Sequence, residues 1–95
     1  MNDCDEGLRL DRLRREIDGL DLDILQLLSR RMSLVEEIAS LKRRTGMEVQ
    51  DPAREENIFR RLIREARAPL SAEAVARIFG EILKVSRELQ SRCSE

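Results

Sequence analysis

The feature that most constrains the fold is a run of residues spaced three and four apart between positions 10 and 41. Nine of these ten positions are aliphatic, and we call them the aliphatic stripe: Leu10, Leu13, Ile17, Leu20, Ile24, Leu27, Leu34, Ile38 and Leu41. The tenth is Arg31. This spacing, which no proline interrupts, is typical of helices that pack at shallow angles. It predicts a long first helix that ends in Arg43, Arg44, Thr45 and Gly46, where cations and glycine favour termination.

Two shorter helices are predicted after the long one. Asp51 and Pro52 suit the start of the second helix, and Ser71 suits the start of the third. The second should end before Ala68. The predicted inner faces are Ile58, Phe59, Leu62, Ile63 and Ala66 in the second helix, and Val75, Ile78, Phe79, Ile82, Leu83 and Leu89 in the third. We therefore predict an all-α chain with one domain over residues 1–95 and flexible tails at 1–7 and 92–95.

The length of the first helix bears on the assembly. About 33 helical residues span roughly 50 Å, whereas a compact chain of this size has a radius of gyration of about 12–13 Å. The helix would leave its own globule and expose its aliphatic stripe to water. Because a second copy of the chain could cover that stripe, we predict an intertwined homodimer of six helices.

The composition argues against several functional classes. Eighteen Lys and Arg nearly balance nineteen Asp and Glu, whereas nucleic-acid binding requires a basic excess. There is no His, the usual metal ligand and general base. No apolar run reaches the length of a membrane span, and the acidic N-terminus does not resemble a signal peptide. We expect a cytoplasmic protein with no metal, cofactor, nucleic-acid or membrane partner, in which Cys4 and Cys93 are free thiols.

Polar residues occupy positions on all three helices where aliphatic residues are expected. They are Arg31 and Lys42 in the first helix, Arg54 and Glu55 in the second, and Ser86 and Gln90 in the third. Arg31 and Lys42 share nearly one face, with Cα atoms about 16 Å apart. Each residue taken alone is more often a solvated cation, a local ion pair or a polar group satisfied nearby. Together they predict a pocket for a small anion with more than one carboxylate.

Several motifs together resemble the all-helical chorismate mutases. They are LRREIDGLDLDILQLLSRRM, the later Lys42, DPAREE and the late Ser-x-x-x-Gln, and the resemblance covers roughly residues 8–91. It implies a six-helix dimer with two equivalent active sites. It also implies an isomerase that converts chorismate into prephenate, without a cofactor, in the shikimate pathway to phenylalanine and tyrosine.

The resemblance implies that four residues bind the carboxylates of the substrate. Arg14 matches an arginine that crosses into the active site of the partner subunit. Arg31 and Arg54 match carboxylate binders within their own subunit, and Ser86 matches a residue that assists at the ring carboxylate.

The remaining implied roles concern the ether oxygen and the ring hydroxyl. Lys42 and Gln90 match the donors to the ether oxygen of the breaking bond, and with Arg31 they form the implied catalytic set. Glu55, and Asp51 mainly through its backbone, match the pair at the ring hydroxyl. Such a rearrangement within one molecule needs orientation and donors for developing charge rather than a general base, which agrees with the lack of His.

Two alternative functions fit part of the sequence. An isochorismate pyruvate lyase on the same scaffold shares the Arg, Lys and Gln set, but such lyases tend to lack the acidic residue matched by Glu55. A non-catalytic helical dimerisation module would explain the heptads but not the polar residues on three inner faces. Domains of this kind also occur fused to other enzymes of the pathway. The chain is therefore a free-standing enzyme or a domain of a bifunctional protein, and a partner enzyme of the aromatic pathway is a candidate interaction partner.

Overall fold

The chain consists of three α-helices. The structure is a computed structural model, which describes the backbone of residues 3–92 and the side chains of residues 5–92. The helices are α1 (Asp3–Arg44), α2 (Pro52–Arg64) and α3 (Ala72–Arg92), and residues 3–92 contain no strand. The prediction of an all-α chain with one long and two shorter helices is confirmed. Cys93 and the side chain of Cys4 lie outside the described residues.

Helix α1 begins earlier than the apolar pattern indicates. It starts at Asp3, so residues 3–7 are helical, while their expected flexibility stays a prediction. The apolar spacing marks only the part of a helix that has a packing face. Acidic residues near the start of the helix, such as Asp5 and Glu6, favour this end because the N-terminal end of the helix dipole is positive.

The C-terminal end of α1 is a Schellman motif. The N–H of Gly46 donates to the carbonyl of Arg43 at 3.2 Å, and that of Met47 donates to the carbonyl of Lys42 at 2.8 Å. Gly46 has a φ of 73°, the left-handed conformation that this motif requires. The hydroxyl of Thr45 also lies 3.2 Å from the Lys42 carbonyl. The predicted stop is therefore confirmed, and it fixes the backbone of Lys42.

Side-chain caps start the two shorter helices, as predicted. The carboxylate of Asp51 accepts a hydrogen bond from the N–H of Arg54 at 3.1 Å. The hydroxyl of Ser71 accepts one from the N–H of Ala74 at 3.0 Å. Each cap satisfies a backbone donor that has no partner within its helix. Helix α2 ends at Arg64, before the predicted limit.

The described residues divide into two compact units. The first ends at Arg31 and the second begins at Met32. Among residues 5–31 no side chain is fully buried. In the second unit α2 packs against α3, and the buried residues are Ala39, Val75, Leu83 and Ser86. The core of this unit is therefore small, and its buried positions come from the end of α1 and from α3.

Two residues predicted to lie on inner faces are exposed instead. Ile63 of α2 is 36% exposed and Ile78 of α3 is 48% exposed. Val85, two turns after Ile78, is also exposed, so an apolar flank runs along α3 beside its buried face. The apolar faces of the shorter helices are wider than the surface that packs within the described chain.

The aliphatic stripe of α1 is exposed along its entire length. Its nine side chains range from 47% exposed, at Leu10 and Leu13, to 65% exposed, at Leu27. Soluble monomers rarely present a continuous apolar surface of this extent to water. The stripe has no covering partner within the described part of the chain.

Candidate active site

The structure distributes the eight predicted site residues between the two units. The second unit holds Lys42, Asp51, Arg54, Glu55, Ser86 and Gln90, and the first holds Arg14 and Arg31. Arg14 is exposed and Arg31 is half-buried. The contacts between helices that bear on the site lie in the second unit.

The end of α1 is attached to the end of α3 close to Lys42 and Gln90. The guanidinium of Arg43 donates a hydrogen bond to the backbone carbonyl of Gln90. That carbonyl belongs to the last turn of α3, where carbonyls lack a donor within the helix. Because Arg43 directly follows Lys42, the contact brings Lys42 and Gln90 to the same end of the unit. Both side chains are half-buried.

Ser86 is the most buried of the predicted site residues. It is 6% exposed, and its hydroxyl donates to the carbonyl of Ile82 at 2.9 Å. The sulfur of Met32, in α1, lies 3.5 Å from the same hydroxyl. The hydroxyl of Ser86 therefore has hydrogen-bond partners within the chain itself. A ligand carboxylate would have to compete with the Ile82 carbonyl for the single hydroxyl hydrogen.

Glu55 is joined to α3 by an ion pair. Its Oε1 accepts a hydrogen bond from Nη1 of Arg87, the residue that follows Ser86. The Glu55 side chain is 24% exposed and that of Arg87 is 42% exposed. Residues 86–90 of α3 therefore contact both the start of α2 and the end of α1, within the second unit.

Asp51 and Arg54 are exposed at the start of α2. The Asp51 carboxylate is occupied by the N–H of Arg54, as the cap of the helix. The backbone carbonyl of Asp51 is also engaged, because it accepts a hydrogen bond from the N–H of Glu55 at 3.1 Å. The role that the resemblance implies for Asp51 stays a prediction.

No helix within residues 3–92 combines the length and apolarity that a membrane span requires. In the same part of the chain, no three His, Cys, Asp or Glu side chains cluster in a way that could hold a metal ion.

Residues 13–91 match the family described as chorismate mutase type II. The chain belongs to this family. It is 39% identical to chorismate mutase (form II) of Thermus thermophilus, with a TM-score of 0.85 over 88% of this chain and 96% of that one. It is 32% identical to the chorismate mutase of Helicobacter pylori solved in complex with prephenate, with a TM-score of 0.79 over 88% of this chain and 91% of that one.

A longer relative carries a second activity in its name. The bifunctional chorismate mutase/prephenate dehydratase of Aquifex aeolicus is 33% identical over 86 residues, which is 88% of this chain. The chain spans 22% of the length of that relative. Together with the family match, these similarities confirm the predicted resemblance to all-helical chorismate mutases.

Two arginines of this chorismate mutase family member contact predicted site residues, but the sequence did not indicate them. Arg43 was interpreted only as a cation at a helix end, and Arg87 received no interpretation. Their partners, Gln90 and Glu55, lie on other helices. The signal available in the sequence was adjacency to predicted site residues. Arg87 directly follows Ser86, and Arg43 directly follows Lys42.

Proposed function

We propose that the chain converts chorismate into prephenate in phenylalanine and tyrosine biosynthesis. Membership of the chorismate mutase type II family supports this function, as does the similarity to an enzyme solved with prephenate. The structural observation that carries the proposal is the attachment of both the Lys42 region and Glu55 to residues 86–90 of α3.

In the proposed mechanism the protein orients one molecule and stabilises one developing charge. A carbon–oxygen bond breaks and a carbon–carbon bond forms within chorismate, so no group is transferred to the protein. Lys42 and Gln90 would donate to the ether oxygen as it gains negative charge, a contribution that is typically worth about 100- to 1000-fold in rate per donor.

The other predicted residues would hold the substrate in its reactive conformer. Arg31, Arg54 and Ser86 would bind the carboxylates, while Glu55 and the Asp51 backbone would bind the ring hydroxyl. Fixing a flexible dianion in this way supplies much of the barrier reduction in reactions within one molecule.

We also propose that the active enzyme is an intertwined homodimer of six helices. The exposed aliphatic stripe supports a second copy as the covering partner, because burial of apolar surface is the main favourable term in association. In such a dimer Arg14 of the partner subunit would complete each site. This arrangement is consistent with the exposure of Arg14 within a single chain.

The assignment can be tested by giving the purified chain chorismate and isochorismate in separate assays. We expect prephenate from chorismate, and we expect Lys42→Ala to abolish most of that activity. Lys84→Ala is the matched control, because Lys84 is the other lysine of the chain and lies exposed on α3. Salicylate and pyruvate from isochorismate alone would indicate the lyase, and turnover of neither would favour a dimerisation module.

Besides the site roles and the homodimer, three further expectations from the sequence stay predictions. They are the cytoplasmic location, the extent of the single domain over residues 1–95 and the interaction with a partner enzyme. The name of the Aquifex aeolicus relative, in which chorismate mutase and prephenate dehydratase occur together, makes an enzyme that consumes prephenate the candidate partner.

A further inference from the structure

We propose that Arg87 is a positioning residue of the mutase reaction. It holds one carboxylate oxygen of Glu55 so that the other is presented to the ring hydroxyl of chorismate. This inference rests on the proposed function and deepens it. Arg87 need not touch the substrate, because its effect passes through Glu55.

The ion pair occupies only part of the Glu55 carboxylate. Nη1 of Arg87 contacts Oε1, and Oε2 makes no hydrogen bond to the described residues. An ionised carboxylate has about four acceptor sites on its two oxygens. One oxygen can therefore be fixed by the protein while the other accepts from a ligand hydroxyl.

A second ion pair, on α2, is a typical surface contact and serves as a comparison. Arg60 and Glu56 are 2.9 Å apart, four residues apart on one helix, with side chains 69% and 63% exposed. Exposed pairs of this kind contribute little to stability and are screened by salt. The Glu55–Arg87 pair differs because it joins two helices and because Glu55 is largely shielded from water.

Two physical effects make the pair useful in a site for a dianion. A lone glutamate samples many rotamers, and the planar guanidinium restricts it to a defined orientation. A carboxylate near a substrate with two negative charges is also repulsive unless a cation offsets it. Arg87 supplies that cation from the side of Glu55 that is already bonded.

A double-mutant cycle on the full chain tests the proposal. We expect Arg87→Ala to lower kcat/KM by roughly tenfold to a hundredfold, the range expected for misplacement of an orienting group. Arg87→Lys should restore part of the loss, since it keeps the charge but not the planar fork. In a Glu55→Ala background, Arg87→Ala should cause little further loss, because the group that it positions is gone. Arg60→Ala, which breaks the surface pair, should match the wild type.

The outcomes that contradict the proposal are distinct. Equal losses from Arg87→Ala with and without Glu55 would mean that Arg87 acts independently, and a folded Arg87→Ala chain with wild-type kcat/KM would also overturn the inference. If Arg87→Ala does not fold by circular dichroism, Arg87→Met keeps the apolar stem and takes its place in the cycle. An inactive wild-type chain would instead overturn the proposed function, and the inference with it.

Discussion

A single glycine controls where Lys42 is held. Gly46 adopts a φ of 73° in the Schellman motif whose bonds fix the carbonyls of Lys42 and Arg43. No atom lies within 4 Å of a Cβ added at Gly46, so a substitution there would strain the backbone without causing a clash. The backbone position of Lys42, a proposed catalytic residue, therefore depends on a glycine four residues further along the chain.

We predict that Gly46→Ala lowers the free energy of unfolding by about 1–2 kcal/mol, because alanine is disfavoured in the left-handed region. The value of kcat should fall as well, because Lys42 shifts. Gly19→Ala is the control of opposite sign. Gly19 lies inside α1 with open space around it, and alanine favours helix by about 1 kcal/mol. Urea denaturation measures both, and an unchanged Gly46→Ala protein would contradict this account of the cap.

The amide of Gln90 predicts the pH dependence of the reaction. A neutral amide donates a hydrogen bond at any moderate pH, whereas a glutamate, with an ordinary pKa of about 4.3, must be protonated to donate. We expect wild-type activity to be roughly flat through neutral pH and Gln90→Glu to have an acid optimum. Steady-state rates across a pH series test this. A Gln90→Glu protein that is fully active at about pH 8 would exclude Gln90 as a donor to the ether oxygen.

The sequence predicts some site residues and not others for a physical reason. Ser86 and Gln90 stand out because each interrupts an apolar face, which is a property of one helix. Arg87 and Arg43 matter through contacts with residues on other helices, and one-dimensional periodicity does not say which residues of neighbouring helices face each other. The role proposed for Arg14 involves a second chain, so it came from family resemblance alone.

At the scale of the helices, a comparison of the caps of α2 and α3 can distinguish a role in stability from a role in substrate binding. The carboxylate of Asp51 caps α2 and the hydroxyl of Ser71 caps α3. Only the Asp51 cap adjoins a backbone group with a proposed role in substrate binding. The two caps are therefore a matched pair for asking whether the start of α2 has a function beyond stability.

We predict that Asp51→Ala and Ser71→Ala each lower the free energy of unfolding by about 1 kcal/mol, since each removes a capping acceptor. Asp51→Asn should retain most of the cap. For Asp51→Ala, KM should rise because the backbone at the start of α2 loosens, and Ser71→Ala should leave KM unchanged. If Asp51→Asn were as stable as the wild type but inactive, the carboxylate itself would be the binding group.

Helix ends were predictable where local chemistry sets them. The stop at Gly46 and the starts at Asp51 and Ser71 depend on residues within one turn of the boundary. The start of α1 was not predictable from the apolar spacing, because its first turns belong to no packing face. The exposure of Ile78 was also not predictable, because apolar periodicity does not show which part of a wide apolar face packs against another helix.

At the scale of the whole molecule, the proposed shared site makes a quantitative prediction. In a mixed dimer of Arg14→Ala and Arg31→Ala chains, one site carries both substitutions and the other carries neither. Random pairing makes half of the dimers mixed, so we expect co-refolded chains to regain roughly a quarter of wild-type activity. Each variant alone should be nearly inactive in the same chorismate assay.

The matched control mixes the Arg14→Ala/Arg31→Ala double variant with Arg31→Ala. No pairing of these chains restores Arg31 to any site, so activity should stay absent. Mixed dimers of the first pair that form but remain inactive would contradict the placement of Arg14 in the site of its partner.

The exposed aliphatic stripe has a consequence for how the stability of this enzyme depends on its concentration. If the chain buries that surface only against another copy, its folding obeys mass action, and stability has no single value apart from the protomer concentration. Each tenfold dilution then removes about 1.4 kcal/mol from the assembled state. A cell that makes too little of the chain would lose its activity through unfolding and degradation before it lost it through a shortage of active sites.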